Sequence, residues 1–386
     1  MNCLSCFSSS EKEGERERGR EKDERNAATT SAGTNTDGSS STDAPASSSA
    51  PPGNSSAQAS NTVPNIAMQK FTFQELEIAT KLFLDECVIG EGGFSKVYKG
   101  TLERTGQDVA VKKLNLDGAQ GSTEFLNEVS MLSHLQHSNL VNLVGYCSEG
   151  DQNLLVYEYM PSGSVEDHLF DLKTGQQPLD WFTRMRIAHG VAEGLKYLHH
   201  KVDPPVIFRD LKASNILLDR NINGLAKIGP VGNNTKVSTM IAGTDGYCAP
   251  EYETSGQLTV KSDVYSFGVV LLELISGRRA FDDAKPINEK SLAVWAKPML
   301  RDETRYRDLI DPSIKTDYPP EGLNRAVEIA AMCLQQTATD RPRMCDMARA
   351  LEPLIVPDVE KPFLENLMRN EMSASEGSSP SGSHNE

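Results

Sequence analysis

No run of 18 consecutive apolar residues occurs in the 386-residue sequence, so it predicts no membrane-spanning helix. The N-terminus lacks the apolar core of an export signal, so secretion is not expected. Basic residues are outnumbered: 39 Lys and Arg stand against 54 Asp and Glu. The resulting net charge of −15 argues against nucleic acid as a partner, because general nucleic-acid binding draws on a basic surface. The seven cysteines form neither a disulfide framework nor a zinc site, which fits a reducing, intracellular setting. No segment repeats another. Residues 8–64 lack any cluster of large apolar side chains that could offset the entropy of ordering, and the end, "SASEGSSPSGSHNE", is similar. Position 2 is Asn rather than Gly, which excludes N-myristoylation.

What is present begins with "MNCLSCF". Cys3 and Cys6 sit in a tail that an acyltransferase could reach, and two acyl chains anchor stably where one does not. Leu4 and Phe7 would help the tail dip into lipid. The alternative is a pair of unmodified tail cysteines. Beyond the tail, "FTFQELEIATKLF" has the apolar spacing of a lead-in helix, and "CVIGEGGFSKVYKG", "DVAVKKL" and "NLLVYEYM" read as strands. After Pro161 the pattern turns helical. "RMRIAHGVAEGLKYLHH" predicts one long amphipathic helix, and "SDVYSFGVVLLELISG", apolar on nearly every face, predicts a buried central one. Strands followed by helices predict an α+β fold of two lobes with a cleft between them. The expected divisions are a tail over 1–66, a lead-in over 67–83, a domain over 84–357 with lobes 84–160 and 161–357, and a second tail over 358–386.

Several stretches carry chemistry. Gly90 and Gly92 stand between strand-like runs, where glycine lets a backbone approach phosphate oxygens without a Cβ in the way. Strand alternation puts Ala110 and Lys112 on one face, giving room for an adenine ring beside an ammonium that reaches phosphates. Glu128 lies beside the buried side of its helical run, so its carboxylate needs a cation, and Lys112 is the natural partner. "FRDLKASN" is the most specific stretch, with Asp210, Lys212 and Asn215 at the spacing of a phosphoryl-transfer loop. "CAPEY" and "DRPRM" follow.

These motifs, with "FTFQELEIAT", "NLVNLVGYC", "LLVYEYMPSGSVEDHL", "GTDGYCAPEY" and "SDVYSFGVVLLELISGRRA", resemble the plant receptor-like cytoplasmic kinases of subfamily VII over residues 70–360. The resemblance implies a bilobal protein-kinase fold and a Ser/Thr kinase that uses ATP and magnesium on protein substrates. It also implies signalling beneath receptor kinases at the cytoplasmic face of the plasma membrane. ATP would be surrounded by Ile89, Gly90, Gly92, Gly93, Val97, Ala110, Lys112 and Glu128, and by Glu158 and Met160 of the hinge. Asp210 would accept the substrate hydroxyl proton, Lys212 would help neutralise the γ-phosphate and Asn215 would bind a metal. Glu251 would pair with Arg341, and Asp263 would accept hydrogen bonds from the catalytic-loop backbone. Arg209 before Asp210 implies an activation loop ordered by phosphorylation, with Ser238 and Thr239 as candidate sites and Thr244 as a structural contact. The sequence departs from the family in three places: Ser95 replaces the third loop glycine, Phe208 replaces the usual His, and no Asp-Phe-Gly occurs.

The last departure lies in "LLDRNINGLAKIGPVG", residues 217–232, which holds no aspartate after Asp219. Family members read roughly "LLD…KISDFGLAK.GPVG". In one alignment about half a dozen residues have been lost before Gly224. In the other, "AKIGPVG" takes the place of "AKISDFG" and Pro230 stands at the Asp position. Asp219 comes too early to reach a metal. Three readings stay open: a kinase with residual metal binding, a pseudokinase acting as scaffold or decoy, and a chain from whose transcript a segment was skipped.

Overall fold

The computed structural model describes residues 68–92, 95–114, 125–126, 129–220, 227–228, 244–314 and 316–356. Its first part is a six-stranded sheet of β1 (Gln69–Lys70), β2 (Val88–Gly92), β3 (Ser95–Thr101), β4 (Asp108–Leu114), β5 (Leu143–Glu149) and β6 (Gln152–Glu158). The spatial order is β1-β5-β6-β4-β3-β2, antiparallel throughout except for the parallel β1–β5 pair. The period of two is plain in β4. Val109 and Val111 are fully buried against Leu154 and Val156, while Asp108, Ala110 and Lys112 turn to the opposite face.

The lead-in is built into this lobe. Thr72 caps α1 (Phe73–Ala79) in a reciprocal box with Glu75, and Phe71 and Leu76 pack into the cluster that holds Val109 and Val111. The helix is shorter than the apolar spacing predicts. It stops at Ala79, and Lys81, Leu82 and Phe83 take left-handed φ angles of 53°, 63° and 54°. Local bonds and stacking hold that turn. The Thr80 hydroxyl donates to the Leu76 carbonyl at 2.7 Å and accepts from the Phe83 amide at 3.3 Å. The Phe83 ring folds back onto Phe73 and meets the edge of Tyr98, with centroids 5.6 and 5.1 Å apart.

From residue 161 on the described chain is mainly helical: α2 (Val165–Leu169), α3 (Trp181–His200), α4 (Pro250–Ser255), α5 (Val260–Ser276), α6 (Leu292–Ala296), α7 (Pro320–Cys333) and α8 (Met344–Leu351). Every residue of α5 from Ser262 to Ser276 is buried, the consequence of its all-round apolar sequence. One hydrophobic cluster runs from Leu114, Phe125 and Leu155 of the sheet lobe through Phe208 to Val264 and Phe267 of α5. The α+β, two-lobed fold expected from the sequence is therefore the fold observed. A separate two-stranded sheet pairs β7 (Ile216–Leu217) with β8 (Lys227–Ile228), antiparallel.

Candidate active site

The loop between α3 and β7 is fixed from below by Asp263, in the first turn of α5. Its carboxylate, 2% exposed, accepts from the backbone amides of Phe208 (2.8 Å) and Arg209 (2.9 Å) and lies 2.8 Å from His199 Nε2. Arg209 takes a φ of 77°, so the chain turns sharply there and presents Asp210. Phe208 is buried in the core, consistent with an aromatic ring where the family usually has histidine.

Asp210, Lys212 and Asn215 converge as their spacing predicts. Lys212 Nζ lies 3.1 Å from Asp210 Oδ2, and Asn215 Nδ2 donates to that oxygen at 2.8 Å and to the Asp210 carbonyl at 2.7 Å. The Thr244 hydroxyl donates to Asp210 Oδ1 at 3.1 Å and accepts from Lys212 Nζ at 3.2 Å. Thr244 is thus a structural contact to the loop. The arrangement presents a carboxylate that can orient a hydroxyl and take its proton, beside an ammonium that can meet negative charge.

The residues expected to surround ATP lie on the sheet lobe and the segment after it. In the β2–β3 pair Gly90 pairs with Val97 and Gly92 with Ser95; Gly93 lies outside the described residues. Val97 pairs with Lys112 on β4, and Ala110 shares the Lys112 face. Ile89 is about half exposed at 48%. The Glu158 carboxylate accepts from the Asn142 backbone amide (2.8 Å) and side-chain amide (3.0 Å). Glu128, the expected partner of Lys112, and Ser238, Thr239, Cys3 and Cys6 lie outside the described residues.

Glu251 and Arg341 form the expected pair. Two guanidinium nitrogens reach the two carboxylate oxygens at 2.8 and 2.7 Å, with Arg341 itself 1% exposed. Burial alone would raise the Glu251 carboxyl, but hydrogen bonds from Arg341 and Ser262 hold it below its ordinary value. Sequence reasoning missed His199 behind Asp263, and also Glu273. The latter is buried inside α5, where it accepts from the Tyr247 hydroxyl at 2.8 and 2.9 Å. Nothing in its local sequence marks Glu273 except a charge within an otherwise apolar helix.

The β7–β8 pairing bears on the missing aspartate. In register Ile216 pairs with Ile228 and Leu217 with Lys227, so Lys227–Ile228 supplies a strand beside the catalytic loop. These two residues thus fill the strand place whichever residues were lost; Pro230 lies outside the described residues. No Asp or Glu occurs between Asp219 and Asp245. Among the described residues no group of three His, Cys, Asp or Glu side chains could hold a metal. With its amide nitrogen committed to Asp210, Asn215 offers one neutral oxygen. That single neutral oxygen is a poor donor set for magnesium, which prefers carboxylate oxygens.

Comparison with known proteins agrees with this geometry. The protein kinase domain family matches residues 83–350. Among curated Arabidopsis thaliana proteins, the probable serine/threonine-protein kinase PBL26 is 53% identical over 91% of this chain and 85% of its own length. The probable serine/threonine-protein kinase PBL25 is 60% identical over 74% of this chain and 77% of its own. The serine/threonine-protein kinase PBL27 is 58% identical over 77% of this chain and 59% of its own. The chain belongs to the protein kinase family and, within it, to the receptor-like cytoplasmic kinases of subfamily VII.

Proposed function

We propose that this chain is a Ser/Thr kinase of low intrinsic rate that moves the γ-phosphate of ATP to protein hydroxyls. It would work beneath receptor kinases at the cytoplasmic face of the plasma membrane, held there by acylated Cys3 and Cys6. The observation that carries the activity is the Asp210–Lys212–Asn215–Thr244 network, which holds the carboxylate and the ammonium 3.1 Å apart. Asp210 orients the acceptor hydroxyl and receives its proton, and Lys212 offsets charge on the transferring phosphoryl group. Support for the location comes from the tail sequence and the kinship with subfamily VII.

The low rate follows from the missing carboxylate. A metal clamp contributes several kcal/mol to phosphoryl transfer, and losing about 4 kcal/mol slows a reaction roughly a thousandfold. The same absence favours a second reading, a pseudokinase that binds receptor kinases as scaffold or decoy. One experiment separates them. Inserting Lys-Ile-Ser-Asp-Phe between Asn223 and Gly224 should raise phosphoryl transfer to a generic basic substrate by roughly two to four orders of magnitude. The same insertion with Asn in place of Asp should not. Weak transfer by the unaltered chain that disappears in Asp210→Ala supports the enzyme, and no transfer above that variant supports the scaffold. Strong Asp210-dependent transfer without the insertion, equal to that with it, would refute the assigned defect.

A further inference from the structure

Glu273 is the buried acidic group that the catalytic geometry leaves unused. It sits in α5 at 1% exposure, two turns and more beyond Asp263. Both its oxygens lie within 2.9 Å of the Tyr247 hydroxyl, and Oε1 also accepts from the Ala280 amide at 2.9 Å. The Tyr247 oxygen in turn accepts from the backbone amide of Ala213 at 3.4 Å, between Lys212 and Asn215. A chain of hydrogen bonds therefore runs from α5 through Tyr247 to the catalytic loop.

The charges around Glu273 do not balance an ionised carboxylate. From the segment after α5, Arg279 is the cation facing it, but Arg279 is taken up by Glu166 Oε1 and Asp171 Oδ1, each at 2.7 Å. From α2, Glu166 adds like charge. On the α3 side Arg184 donates to the Leu274 carbonyl next in the helix and is neutralised by Asp311 at 2.7 Å. The α7 thiol of Cys333 packs at Gly268, five residues before Glu273, and burial pushes it up to about 12 and so keeps it neutral. A buried carboxylate with one phenol and one amide as donors is far cheaper to hold as the acid.

We propose that Glu273 is a positioning residue that works as a neutral carboxylic acid, holding Tyr247 and through it the catalytic loop at Ala213. The tyrosine oxygen can serve both neighbours: its own proton points to one Glu273 oxygen, and its lone pairs accept from the acid proton and from Ala213. Burial, the first cause, raises the Glu273 carboxyl to about 8, against hydrogen bonds from Tyr247 and Ala280 that lower it. Burial also pushes the Tyr247 phenol far above its ordinary range, so the phenol stays protonated as the acid titrates. A carboxyl raised in the folded state stabilises the fold at low pH. That contribution shrinks as pH climbs from its ordinary value near 4.5 through about 8.

The test uses the full chain and needs no enzymatic activity, so its outcome is independent of the proposed function. Thermal midpoints are measured from pH 5 to pH 9 for the unaltered chain and for Glu273→Gln, which keeps the hydrogen bonds and cannot ionise. The unaltered chain should lose stability relative to Glu273→Gln as pH rises. Corrected amide exchange at Ala213 should quicken at least tenfold between pH 6 and pH 9 in the unaltered chain and stay level in Glu273→Gln. Tyr247→Phe, which removes only the bridging oxygen, should give fast Ala213 exchange at every pH. Parallel pH profiles for the unaltered chain and Glu273→Gln would overturn the proposal, as would undiminished Ala213 protection in Tyr247→Phe.

Discussion

Arg341 shows what a single side chain does in this fold. Its guanidinium holds the Glu251 carboxylate, donates to the Gln335 and Lys261 carbonyls and lies over the Tyr265 ring. Removing it would strand a half-buried carboxylate, so Arg341→Ala should lower the unfolding free energy by about 3–5 kcal/mol in denaturant titration. Because Glu251 is held below its ordinary value, the pair's contribution is present at neutral pH and is lost as pH falls below the carboxylate's ordinary range. The Arg341→Ala deficit should therefore narrow in acid. The Glu251–Arg341 pair was expected from the family resemblance, whereas the catalytic residues were legible because their chemistry sits in one short run: "FRDLKASN" orders its own carboxylate, ammonium and amide. His199 and Glu273 were not, because each is defined by a partner remote in the chain, Asp263 for one and Tyr247 for the other.

Among the elements, the long helices α3 and α5 follow directly from their apolar pattern, and the strand β1 from none. Two residues carry no period, and β1 exists because β5 offers it a parallel edge. The requirement surfaces at Gly145, where a Cβ would stand 2.1 Å from the Gln69 carbonyl oxygen and 2.7 Å from the Phe71 ring. Gly145→Ala should push β1 away and break the bond from the Phe71 amide to the Tyr146 carbonyl, now 2.8 Å. Such overpacking costs roughly 1–3 kcal/mol. The expected result is a lower thermal midpoint with faster amide exchange at Phe71, while exchange in α5 is unchanged. The left-handed turn at Lys81–Phe83 was equally hidden, since it contains no glycine and is held by Thr80 and by ring stacking. β8 was half legible: two alignments fitted the sequence, and main-chain pairing with β7 identifies Lys227 and Ile228 as the residues that form the strand.

For the molecule as a whole, the proposed membrane tether and the kinase fold can be tested apart. If Cys3 and Cys6 are acylated, the chain should sediment with membranes and release treatable by thioester cleavage should follow. The Cys3→Ser, Cys6→Ser pair should move it to the soluble fraction without altering its thermal midpoint. Sedimentation unchanged in that double variant would remove the tether. A further consequence follows from where the lead-in packs. The recurring family sequence begins at residue 83, yet Phe71, 12 residues earlier, is 3% exposed and Leu76 is fully covered. A recombinant fragment trimmed to the family boundary would bare the faces of Val109, Val111 and Leu154 that these side chains shield. The edge of the recurring kinase domain and the edge set by burial do not coincide, and an intact core calls for starting the clone at or before Met68.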